Sequence, residues 1–104
     1  MYLINIQAKP KKESEYYDTV AGAFASVYVD YKDLNGAVSL AKYYVKEEGW
    51  KVVKVDDEYF TLNSLDDVEK EEDQIELYKE ALEYGYAIIL NCYEEDEEES
   101  LTIV

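Results

Sequence analysis

At 104 residues, with 48% hydrophobic content, the chain fits one domain built on one core and is not expected to be disordered as a whole. Its 25 acidic residues outnumber ten basic ones, all lysine, and the formal charge of −15 opposes binding to DNA, RNA or anionic lipid, because phosphate recognition is driven by Lys and Arg. Histidine is absent and Cys92 is the single cysteine, which removes the usual general base, the Cys-His pair, the commonest transition-metal ligand and any intrachain disulfide.

The first segment, Tyr2–Lys9, alternates, with Tyr2, Ile4, Ile6 and Ala8 on one side and Asn5, Gln7 and Lys9 on the other. It is predicted as a half-buried strand that stops at Pro10, which has no N–H for a ladder. Lys11–Gly22 is polar, then carries Tyr16, Tyr17 and Val20, and is predicted as a long loop, mobile or functional. Ala23–Tyr31 alternates again and is the second strand.

Asp33–Glu48 is the clearest helix, with Leu34, Ala37, Val38, Ala41, Tyr44 and Val45 at helical spacing. Asp33 or Asn35 can cap its start, and Gly49 supplies the left-handed residue that ends it. Trp50–Asp56 and Tyr59–Leu62 are predicted as two further strands, turned through Asp57 and Glu58. Ser64–Tyr84 opens with a capping-box pattern, Ser64-x-x-Asp67. Its stripe of Leu65, Val68, Ile75, Tyr78 and Leu82 is interrupted at Glu72, so it is either one helix or a turn followed by a helix from about Glu72, ending at Gly85. Tyr86–Tyr93 is apolar on both faces and reads as a central strand. Glu94–Glu99 is a run of six acids, expected to be a solvated tail, and Ser100–Val104 either returns to the sheet as a short strand or frays.

Apart from the first strand, the order is strand, helix, strand, strand, helix, strand. That order predicts an α+β ferredoxin-like split βαβ sandwich, with an antiparallel sheet carrying both helices on one face. The extra N-terminal strand would lie at an edge or beside Ala23–Tyr31. Residues 1–93 form the expected domain and 94–104 the acidic tail.

The charge is unevenly placed: residues 1–55 carry eight lysines and seven acids, whereas 56–104 carry two lysines and eighteen acids. No EF-hand loop, nucleotide-binding glycine motif or zinc ligand set is present, and no cofactor is expected. Paired carboxylates are too abundant to point to a glycosidase. Cys92 has acidic surroundings and is expected to be a buried, unreactive core residue. The twelve tyrosines cannot all be buried with satisfied hydroxyls, so most are expected at the boundary of the core or on an interaction surface.

These features predict a non-enzymatic, soluble, cytoplasmic domain that binds a basic protein through its acidic half. An inhibitor, an immunity protein or a nucleic-acid mimic would have this composition. The alternative is a homo-oligomeric domain with a structural or small-ligand-binding role. The candidate binding residues are Glu72, Glu76, Glu80 and Glu83 on the second helix, with Tyr28 and either Trp50 or Val53 lining an uncovered sheet face. Neither nucleic acid nor membrane is expected as a partner.

Overall fold

Alternating apolar residues make β1 (Tyr2–Pro10) and β2 (Gly22–Val29) an antiparallel pair, with Ile4 opposite Val27 and Ile6 opposite Ala25. The computed structural model describes residues 1–94 except Tyr16, Glu69 and Lys70. Helix α1 (Leu34–Glu47) follows, then β3 (Trp50–Thr61), a one-turn 3-10 helix (Leu65–Asp67), α2 (Glu72–Tyr84) and β4 (Tyr86–Tyr93). Among the described residues the sheet has four strands, all paired antiparallel, in the order β3-β1-β2-β4. The predicted expectations for Ser100–Val104 and most of the tail lie outside the described residues.

The α+β class and the antiparallel sheet match the expectation, but the strand order is not that of a ferredoxin-like sheet. The N-terminal strand is central rather than an addition, because it forms a hairpin with β2 and also pairs with β3. β2 and β3 both run antiparallel to β1, hence parallel to each other, and α1 bridges them across β1. The helices lie on opposite faces. Ala23, Ala25, Val27 and Val29 of β2 pack with Ala37, Ala41 and Val45 of α1, whereas Tyr28 packs with Tyr78 and Ala81 of α2. The physical cause is that β2 and β4 carry apolar side chains on both sides, and each side requires cover.

Two strand readings also change. β3 is one twelve-residue strand, not a hairpin. Ile4 and Ile6 face Tyr59 and Val55, so β3 absorbs the residues between, Asp56–Glu58, as a bulge. A tight hairpin turn needs left-handed residues, and none of the described non-glycine residues has positive φ. Among the described residues β4 is an edge strand, not the central one expected. Its two apolar faces are sandwiched between helical layers, with Ile88 and Leu90 against the α1 core and Ala87 under α2.

The caps follow the sequence closely. Asp33 Oδ1 accepts from the Gly36 N–H at 2.7 Å and starts α1. The Asp67 carboxylate accepts from the Asn63 N–H at 2.7 Å and the Ser64 N–H at 3.3 Å, closing the 3-10 turn, so the Ser64–Tyr84 region is a turn followed by a helix from Glu72. The β1–β2 connection is tied down: Lys11 N–H donates to Gly49 O at 3.1 Å, and Lys11 Nζ donates to Lys46 O at 3.0 Å. That ammonium sits where the negative end of the α1 dipole favours it.

Gly85 ends α2 at φ 93°, its N–H bound to Ala81 O at 2.8 Å, and a Cβ there would meet nothing within 4 Å. The Gly85→Ala change therefore reports backbone strain alone. It is expected to lower unfolding free energy by about 1–2 kcal/mol, the cost of a left-handed L-residue. A denaturation midpoint equal to that of the unaltered protein would contradict the cap assignment.

Candidate protein-binding surface

Helix α2 has a buried side and an acidic side. Tyr78 and Ala81 are buried, with Ile75 and Leu77 half-buried beside them. Glu72, Asp73, Glu76, Glu80 and Glu83 are all exposed. Leu82 does not continue the buried stripe: it is 53% exposed, and Ala81 takes the inward position. Lys79 is the single cation within α2, against five acids, for a net of −4, and no basic residue occupies the last turn. Carboxylates at Glu80 and Glu83 thus face the negative end of the helix dipole, which disfavours them.

Between α2 and β4 runs a shallow groove of about 530 Å³. Leu77, Tyr84 and Ile89 contribute its apolar surface and Asp73, Glu76, Glu80 and Glu83 its acidic surface, and Lys79 and Ile88 also line it. Across the sheet, α1 carries Lys42 and Lys46 against Glu47, a net of +1. Because the helices occupy opposite faces, the charge difference between α1 and α2 becomes a difference between two sides of the sheet.

Tyr28 and Trp50 do not line an open face. Tyr28 is 3% exposed beneath α2, where its hydroxyl donates to Gln74 Oε1 at 3.4 Å. Trp50 is fully buried in the α1 core, opposite Pro10. The uncovered part of the sheet lies elsewhere, on the α2 side beyond the helix. There Ser26 Oγ donates to Asn5 Oδ1 at 2.9 Å, and Phe24 packs on Tyr93 with ring centroids 5.1 Å apart. A depression of about 180 Å³ is lined by Asn5, Gln7, Phe24, Lys54 and Asp56. The Asn5, Gln7 and Ser26 side chains explain why this part tolerates solvent: their polar groups need no cover.

Cys92 is exposed, contrary to the expectation of a core thiol. It belongs to the outermost strand, near the end of the sheet. Of the described tyrosines Tyr28 and Tyr78 are buried, Tyr2, Tyr44, Tyr86 and Tyr93 lie half-buried at the boundary of the core, and Tyr17, Tyr31, Tyr43, Tyr59 and Tyr84 are exposed. Tyr44 of α1 stacks on Tyr86 of β4 with centroids 3.7 Å apart, covering the α1 side of that edge. Among the described residues no group of three or more His, Cys, Asp or Glu side chains is gathered for a metal ion, and no helix is long and apolar enough to cross a membrane.

Sequence reasoning found the acids of α2 and missed the groove beside them. Its signal was Leu77, Tyr84 and Ile89, apolar residues that a single buried stripe does not need. Family models, curated proteins and solved structures give no match to this chain.

Proposed function

We propose that the chain is a non-enzymatic binding protein whose acidic α2 side docks on a basic protein and blocks its working surface, as an inhibitor, an immunity protein or a nucleic-acid mimic does. The observation that carries this reading is the one-sided charge of α2, including carboxylates at its C-terminal end where they weaken the helix. A face kept only for solubility has no reason to place them there. Complementary charge on the partner would steer the encounter and exclude wrong partners.

The test starts with affinity capture from the native host at low salt. The captured protein is then purified and titrated against the chain by calorimetry. A partner rich in Lys and Arg is expected, with affinity falling about tenfold or more between low and physiological salt as charges are screened. A variant with Glu72→Gln, Glu76→Lys, Glu80→Lys and Glu83→Lys should lose that affinity by about a hundredfold or more, consistent with measured couplings of close interfacial charge pairs. Partner affinity that is unchanged in this variant would refute the reading.

A further inference from the structure

The two edges of the sheet are built differently. The β3 edge carries Lys51, Lys54, Asp56, Asp57 and Glu58 and is shifted in register twice along β1. Charges and bulges on an edge strand discourage pairing with another chain. The β4 edge has neither. Its eight residues contain no charge and no proline, and they keep unbroken register with β2. Among the described residues, β2 is its single strand neighbour.

The backbone groups of β4 have a definite direction. Asp30 N–H donates to Gly85 O at 2.9 Å, on the inner side of the sheet. In an antiparallel ladder this direction alternates residue by residue. Tyr86, Ile88, Leu90 and Cys92 therefore turn their N–H and C=O groups outward. The groove beneath α2 lies directly beside this edge, with Ile88 and Ile89 of β4 in its lining.

We propose that β4 receives an extended, Lys- or Arg-bearing segment of a partner protein as a fifth strand, with the basic side chains on the α2 side. This deepens the acidic-docking reading and rests on it. Side chains of an added strand alternate between the two faces. On the α2 side they meet Glu76, Glu80 and Glu83, which with Asp73 outnumber Lys79 in the same groove, and on the α1 side they continue the apolar row of Tyr86 and Ile88. An alternating basic and apolar segment satisfies both. A second copy of this chain fits less well. It would present another uncharged β4, bring its own α2 carboxylates near the same groove, and add a second charge of −15.

The test is an amide-detected NMR titration of the full chain with the blocked peptide Lys-Val-Lys-Val-Lys-Val. Two further peptides carry backbone N-methyl groups, one at every valine and one at every lysine. In a strand, alternate N–H groups point to opposite edges, so each methylated peptide keeps one edge free. The expected result is saturable binding of the parent peptide, with shifts concentrated in the amides of Tyr86–Tyr93. One methylated peptide should bind like the parent and the other about tenfold or more weaker. The surviving one reports whether the added strand runs antiparallel or parallel. The acidic peptide Glu-Val-Glu-Val-Glu-Val should not bind, and Ile89→Lys should weaken the parent peptide about tenfold.

Equal binding of the two methylated peptides would overturn the proposal, because backbone pairing would play no part. Failure of the parent peptide to bind a chain that sediments as a dimer would overturn it in favour of a second copy. Failure with a monomer would overturn it in favour of an edge closed by the chain itself. In each case the acidic-docking reading is judged separately, by the α2 charge variant and the native partner.

Discussion

Alanine in place of Trp50 is expected to lower unfolding free energy by about 3–5 kcal/mol, the usual cost of removing a large buried aromatic. Trp50 is fully buried at the start of β3 and packs in the cluster that joins Ile4, Ile6 and Ala8 of β1 to α1. Trp50 is the largest side chain of that cluster, which also holds small residues such as Ala8, Ala37 and Ala41. Small domains have about 5–15 kcal/mol in total, so the loss is a large share of what holds the fold. Urea unfolding followed by circular dichroism measures it. Trp50 is the single tryptophan, so its fluorescence should move to longer wavelength as the unaltered protein unfolds. A cost below about 1 kcal/mol, within the range of ordinary surface changes, would place Trp50 on the surface, one of the two positions the sequence offers there beside Val53.

The second large effect runs the other way. Replacing Glu72, Glu76, Glu80 and Glu83 by Gln is expected to stabilise the fold while weakening capture of a basic partner. The change removes like-charge pairs at Glu72–Glu76, Asp73–Glu76, Glu76–Glu80 and Glu80–Glu83 and gives up the opposite-charge pairs Glu76–Lys79 and Lys79–Glu83, a net gain of two pairs at about 0.2–0.5 kcal/mol each. Neutralising Glu83 also relieves its repulsion from the negative end of the α2 dipole, for about 0.3–1 kcal/mol more. Together these give about 1–2 kcal/mol, or roughly 5–15 °C in melting temperature for a domain of this size. The gain should shrink in high salt, where repulsion in the unaltered protein is already screened. A melting temperature that falls would mean that the acids make stabilising contacts, and the view of α2 as a strained acidic face would be withdrawn.

The sequence by itself determined the local elements. Alternation in Tyr2–Lys9 and Ala23–Tyr31 gave two strands, and the stripe from Leu34 to Val45 gave α1. Asp33, Ser64-x-x-Asp67, Gly49 and Gly85 marked the caps because each carries its own physical reason, a side-chain acceptor or freedom at positive φ. The acidic character of α2 was equally legible, since charge at helical spacing needs no knowledge of the partner elements.

Tertiary structure alone decided which elements meet. Whether Asp57 and Glu58 turn the chain or bulge within β3 depends on β1 lying alongside the whole of Trp50–Thr61. An apolar strand such as Tyr86–Tyr93 can be sandwiched between layers and still lie at the edge of the described sheet, because side chains and backbone groups point in perpendicular directions. Tyr28 and Trp50 are each amphipathic aromatics near strand ends, and their own identity does not say which helix covers them. The two faces of β2 required two covers, so α1 and α2 separated to opposite sides of the sheet. That separation put the weakly basic α1 and the acidic α2 on opposite faces of the sheet, and it set the uncharged strand β4 beside the acidic helix.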